Sequence, residues 1–311
     1  MEQDWIHTEI SSTGVIWPST SQQVLVTLLP TRESAILSDE WTGNLLLNLR
    51  VFELSNWTRV YAATDRWVWE DKNHDRIVIK SDISAIYVLD GMASTQPSQF
   101  CAEVIMGSSR DFSRIFNGTQ TCLNSQNIAS WLSMVWAYIS EDRNLHVHQV
   151  GDCGVLVFGN DGNVKFCADN QVDFYVKTFP ITREFQEFLL EYKQLKIVKQ
   201  FQRHVDTLPK DPLQWSFGSY HTYDPVKLQS WDTVMLFSDI VWCNFSLPEL
   251  ETLVRENPDT MKLYSTIAMI LYRKMQLDRD QLDGIADYNL YYNSDLFPST
   301  WNQSLVLFRV P

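Results

Sequence analysis

Acidic residues recur at the ends of apolar runs in this chain. The run Ala85 to Leu89 stops at Asp90-Gly91 in AIYVLDG, QVGDC carries Asp152, LFSD carries Asp239, and Asp75 stands just ahead of RIVIK. Carboxylates collected from several strand ends suit a hard divalent cation, which takes oxygen ligands. A pair of such ions can activate a water for hydrolysis. Asp-Gly is also a common turn, so each acid taken singly reads equally as a strand stop. Two other groups carry chemistry of a different kind. His146 and His148 fall on one face of the run LHVHQV and could bind a metal, although without a third ligand an ordinary half-exposed pair is the simpler reading. Cys153 and Cys243 lie near the acids, but no histidine sits at a telling distance from them, and free cysteine is usually a core residue.

The elements that would position these residues are short. QVLVTLLP, NLLLNLRVFEL, WTRVYAATD, DRIVIK and AIYVLDG are rich in β-branched or aromatic residues and read as strands. A helix is expected after Pro97, through SQFCAEVIMG, whereas IASWLSMVWAYIS suits a buried helix and a buried strand equally. Two alternating runs flank Gly159-Asn160-Asp161-Gly162, a hairpin signature. Residues 181–205 have apolar residues at helical spacing with charges between. SWDTVMLFSDIVW returns to strand. SLPELETLVREN then starts a helix with Ser246 as N-cap, Pro248 in the first turn and Glu249 completing a capping box. DTMKLYSTIAMILYRKM is a further helix and SLVLFRV a last strand. This order predicts an α+β layered domain.

Composition narrows the partners. The chain has 311 residues, 45% of them apolar, 20% charged and 13% aromatic, which supports a large core and argues against disorder. A net charge of −13 repels phosphate backbones, so nucleic acid is not an expected partner. The five cysteines are odd in number and none has metal-site spacing, which fits free thiols in a reducing compartment. The polar start MEQDWIHTEISS and the lack of a long apolar run predict a soluble, cytoplasmic protein with no membrane partner. Glycine is scarce: eleven residues, roughly half the usual share of about 7%.

Taken in order, ATDRWVWEDKNHDRIVI, AIYVLDGM, LHVHQVGDCGVLVF, WDTVMLFSDIVW and NQSLVLFRV resemble the metal-dependent protein phosphatases of the 2C type, from about residue 55 to the C-terminus. The resemblance implies a four-layer α-β-β-α fold, a central antiparallel β-sandwich flanked by helices. It also implies two Mg²⁺ or Mn²⁺ ions at one end, which activate a water against phosphoserine or phosphothreonine. Residues 1–54 would then be an N-terminal extension, either separate or adding strands to the sheet, and residues 55–311 the phosphatase-like domain.

Carried over residue by residue, the resemblance makes Asp90 the acid that bridges the metals, Gly91 the carbonyl ligand beside it and Asp239 a further ligand. Asn73 and Asp75 match, but the glutamate between them becomes His74. The acid before the final strand becomes Trp301, with the neutral Asn302 beside it. The phosphate-binding arginine becomes Glu70, whose charge would repel the phosphate. Asp-Gly-His-Gly-Gly has become Asp90-Gly91-Met92-Ala93-Ser94, and Ser-Asp-Gly has become Ser238-Asp239-Ile240. Loss of anionic ligands weakens divalent binding, because charge count sets much of the affinity.

Three functions follow as expectations. The first is a catalytically impaired 2C-type protein, a pseudophosphatase that acts as a binding or regulatory module for a protein partner: a kinase, a phosphoprotein or a complex subunit. It would hold no metal or one weakly bound Mg²⁺ or Mn²⁺. The second is an active phosphatase with two ions in a modified site. The third is a structural subunit of a larger assembly.

Overall fold

The computed structural model describes residues 10–11, 14–18, 23–26, 29–38, 45–66, 72–92, 95–107, 112–125, 131–151, 153–168, 221–238, 240–282 and 302–311. Two antiparallel sheets form its centre. The first has seven strands: β4 (Ala35–Leu37), β7 (Arg76–Lys80), β8 (Ala85–Met92), β9 (Trp131–Ile139), β10 (Asn144–Val150), β13 (His221–Thr222) and β14 (Val226–Lys227). They run in the order β13-β10-β9-β8-β7-β4, with β14 also on β10. The second has six: β5 (Arg50–Glu53), β6 (Arg59–Asp65), β11 (Gly154–Phe158), β12 (Val164–Cys167), β15 (Thr233–Phe237) and β16 (Gln303–Arg309), in the order β12-β11-β15-β16-β6-β5. A separate three-stranded sheet comprises β1 (Ile10–Ser11), β2 (Gly14–Pro18) and β3 (Gln23–Val26). Within the first 54 residues, β4 thus joins one central sheet and β5 the other.

Strand alternation sorts the side chains into layers. Ile86 and Val88 of β8 join Val234 and Leu236 of β15 and Val306 and Phe308 of β16 in a core between the sheets. Their neighbours point outward. Ala85, Tyr87 and Leu89 meet Cys101, Ala102 and Ile105 of α1 (Gln96–Met106) and Ile115 of α2 (Phe112–Ser125). Met235, Phe237, Leu305 and Leu307 meet α3 (Ile240–Asn244), α4 (Leu247–Glu256) and α5 (Thr260–Leu282). Two sheets buried on both faces need apolar residues at every position, which is why these strands read as continuous runs. Each fully buried Val, Leu or Phe contributes about 1.5–3 kcal/mol. The result is the α-β-β-α order.

Local expectations are met at α4, where the Glu249 carboxylate accepts from the Ser246 backbone nitrogen at 2.7 Å and its hydroxyl at 2.8 Å. The ambiguous segment around Trp136 is strand β9, held on both sides by β8 and β10. The strand read over SWDTVMLFSDIVW ends at Phe237, and its last residues open helix α3 at Ile240. Two other expectations fail. Residues 45–48 form a turn, not the start of a strand. Leu45, Leu46 and Leu49 all enter the same core, a spacing that alternation forbids and a turn allows. Asp90-Gly91 is not a turn either, since β8 runs through both, with Asp90 opposite Ser133 and Gly91 opposite Leu132. The expected helix over residues 181–205 lies outside the described residues. Among the described residues no helix is long and apolar enough to cross a membrane.

Candidate metal and phosphate site at one end of the sandwich

The alternation that builds the core also assembles a polar floor where the apolar residues stop. Continuing β8 inward gives Asp90 after Ile86 and Val88, and stepping back from Ile79 and Ile77 on β7 gives Asp75. In the same way Thr64 follows Val60 and Ala62, Ser238 follows Val234 and Leu236, and Ser304 precedes Val306 and Phe308. Pairing of Ser304 with Thr64 across β16 and β6, and the bond from the Ser238 nitrogen to the Ser304 carbonyl at 3.1 Å, bring these ends level.

Asp75 is the centre of this floor. It is fully buried, and neither carboxylate oxygen has a hydrogen-bond partner. The surrounding donors are committed elsewhere. The Ser304 hydroxyl donates to Thr64 Oγ1 at 2.9 Å, and Thr64 Oγ1 also accepts Asn73 Nδ2 at 2.8 Å. The Ser238 hydroxyl donates to the Asn302 carbonyl at 3.4 Å and accepts the Ser304 nitrogen at 3.1 Å. Burial pushes the Asp75 carboxyl up to about 7, against the nearby Ser238 and Ser304 hydroxyls, the Asp90 carboxyl and the Arg76 charge. Those neighbours act on it without completing a bond.

The loop ahead of β7 is fastened from outside. Asn73 Oδ1 accepts the Asp75 nitrogen at 2.9 Å, and Arg76 Nη1 donates to the carbonyls of Asn73 and Asp75, each at 2.6 Å. The Ser98 hydroxyl of α1 donates to the His74 carbonyl. Arg76 therefore clamps backbone instead of facing a substrate. On the far side of Asp90, the Ser133 hydroxyl donates to the Val150 carbonyl and accepts the Cys153 nitrogen, both at 3.0 Å. These two bonds fasten Val150 and Cys153 to β9 beside Gly151. Gly151 stands there at φ 81°, and a Cβ on it would come within 2.3 Å of Ser133 Oγ, so the corner needs glycine. Cys153 is fully buried in the core, which rules it out as an accessible nucleophile.

Of the residues singled out in the sequence, Asp75, Asp90 and Gly91 come together at this end, with Asn302 beside Ser238 and His74 beside Asp75. Asp239, Glu70, Trp301 and Asp152, like Ala93 and Ser94, lie outside the described residues. Thr64, Ser304 and the Asn73 side chain were not singled out as a network. Their only signal was the inward step of two residues beyond the last apolar position on each strand. Among the described residues, no three His, Cys, Asp or Glu side chains are grouped to hold a metal ion. The donors present still suit a hard cation: a dry carboxylate without donors, a half-exposed carboxylate beside it, and a neighbouring carbonyl at Gly91.

No protein-family model matches the sequence, and no curated protein matches it. Solved structures do match in fold. The catalytic domain of the serine/threonine protein phosphatase PstP, solved with two manganese ions, is similar at 11% identity and a TM-score of 0.52, over 82% of this chain and 99% of that one. The serine-threonine phosphatase 2C of Toxoplasma gondii is similar at 10% identity and a TM-score of 0.51, over 91% and 100% of the two chains. PppA of Pseudomonas aeruginosa, a regulatory component of the T6SS, is similar at 9% identity and a TM-score of 0.50, over 81% and 97%. The chain has the 2C-type serine/threonine phosphatase fold. Identities this low establish fold and not activity.

Proposed function

We propose that this chain uses the 2C-type fold as a binding or regulatory module for a protein partner, with an impaired phosphatase centre. The substitutions at the chemical positions carry this reading. Glu70 stands where the resemblance implies a phosphate-gripping arginine, His74 where it implies a glutamate, and Trp301 where it implies an acid. Each replaces a charge that the chemistry needs with its opposite or with none. The hydroxyl network around Asp75 supports the same reading, because it ties the strand ends to one another. The partner would be a kinase, a phosphoprotein or a subunit of a complex.

One observation favours the second reading, a working metal-dependent phosphatase. A buried carboxylate without donors is costly, and a cation would satisfy it. Asp90, the Gly91 carbonyl and Asp75 would help hold the Mg²⁺ or Mn²⁺ ions of that reading, with Asp239 a further ligand by the resemblance. Bound there, the ion would supply Lewis acidity and a water of lowered pKa. The chain's own part would be to hold Asp90 at the mouth by its pairing with Ser133 and to keep Asp75 dry behind it.

Hydrolysis of a phosphothreonine peptide in millimolar Mn²⁺, by wild type and Asp90→Asn in parallel, separates the two. The proposal expects no turnover above background from either protein. Turnover by wild type that Asp90→Asn abolishes would overturn it in favour of the second reading.

A further inference from the structure

The outer face of the first sheet carries a ladder of stacked rings that ends in the two histidines of β10. Tyr87 and Trp136 stack at 5.5 Å with planes 2° apart. His148 lies on Trp136 at 4.5 Å and 15°, and His146 lies on Tyr138 at 4.3 Å and 3°. These are the cross-strand partners in the β9–β10 register, His148 opposite Trp136 and His146 opposite Tyr138. Tyr87 and Trp136 are buried under the α1 layer, while both histidines are half-buried on β10, between β9 and the short strands β13 and β14.

This arrangement does more than cover apolar surface. A metal ion bonds imidazole in the ring plane. Two rings on adjacent same-face positions of one strand can share an ion only if both planes run along the strand. Near-parallel stacking on a cross-strand neighbour favours that orientation for both rings. The Thr222 hydroxyl lies 3.0 Å from His148 Nδ1. The hydroxyl can accept from Nδ1–H or donate to Nδ1, and the first arrangement is the kind of support a metal-bound histidine takes from a neighbouring oxygen.

We propose that His146 and His148 form a two-imidazole chelate for a borderline divalent transition ion, Cu²⁺, Ni²⁺ or Zn²⁺, distinct from the oxygen-donor end of the sandwich. Nδ1–H of His148 donates to Thr222, which places the lone pair on Nε2 toward the ion. Among the described residues no third His, Cys, Asp or Glu joins the pair. His221 does not, since it pairs with Gln149 and its ring meets Tyr223 on the opposite face. Nitrogen ligands select these ions over Mg²⁺ and Mn²⁺. The Asp142 carboxylate, within electrostatic reach of His146, adds a favourable field.

The test is Cu²⁺ titration of the full chain followed by electron paramagnetic resonance. One Cu²⁺ per chain is expected to show coupling to two imidazole nitrogens. His146→Phe and His148→Phe keep a ring on Tyr138 or Trp136 and remove the nitrogens, so folding is retained. Each should leave one coupled nitrogen and weaken binding about tenfold or more, and Thr222→Val should weaken it about tenfold. Thr64→Val, at the opposite sheet and away from both histidines, should leave the two-nitrogen coupling unchanged. Two-nitrogen coupling that survives His146→Phe/His148→Phe, or the lack of any nitrogen-coupled Cu²⁺ in wild type, would overturn the assignment.

Discussion

The two ends of the sandwich are built from similar residues and treat them differently. At the end away from Asp75, the β5–β6 turn meets the turn before β8. Ser55 Oγ and Ser84 Oγ bond at 2.7 Å, the Ser55 nitrogen donates to the Ser81 carbonyl at 2.8 Å, and the Ser84 carbonyl accepts the Ile139 nitrogen at 3.1 Å. Hydroxyls there close the fold and are paired with each other. At the Asp75 end the hydroxyls also pair with each other, but they surround a carboxylate to which none of them completes a hydrogen bond. A fold under selection for stability alone would have no reason to keep that carboxylate. The closed end shows what the same scaffold does when only stability is asked of it.

The comparison predicts that charge is tolerated on the inner face only at the polar end. Val88→Asp places a carboxylate one inward step before Asp90, inside the closed core, and should cost more than about 4 kcal/mol, measured by urea denaturation. An effect below 1 kcal/mol would mean the inner face is wetter than the burial of Val88 indicates.

Asp75 should leave a signature in pH. Its folded carboxyl titrates at about 7 against an ordinary 3.8, so between these values the folded chain holds a proton that the unfolded chain has released. In metal-free buffer stability should therefore fall as pH rises from about 4 to about 7, with the loss complete above the folded value. Asp75→Asn should flatten that slope and stabilise the metal-free protein at pH 8 by about 1–3 kcal/mol. Thermal melts across the pH range would show it, and an unchanged slope would remove Asp75 as its source.

Ser55→Ala at the closed end should move stability the other way, by about 1 kcal/mol, because it takes away the partner of Ser84 Oγ. Paired melts with Asp75→Asn give opposite signs if the two ends differ as described. The smallest effect is expected at Trp57, which is 67% exposed at φ 65° with the Arg32 guanidinium 4.0 Å above its ring. Trp57→Gly relieves about 1 kcal/mol of left-handed strain and gives up about the same in cation–π contact, so melting should barely shift.

Much of the fold could be read along the chain. Continuous apolar runs such as TVMLF and SLVLF announced strands buried on both sides, and Ser246, Pro248 and Glu249 announced α4. Asp75 and Asp90 were legible as acids at strand ends, and the fold brings them together. The segment around Trp136 was not legible, since a buried strand and a buried helix are both apolar throughout. Nor was the turn at residues 45–48, where three leucines imitate a strand.

What the chain's residues decide locally is which face each strand presents, because alternation is a property of the backbone alone. They also decide which chemical positions carry Glu70, His74 and Trp301. Only the tertiary structure decides that Asp75 is dry and without donors. That outcome depends on Ser304 giving its proton to Thr64, 240 residues away, and on Ser238 giving its own to Asn302, 64 residues away. A hydroxyl has one proton to donate, and its destination is set by which strands become neighbours.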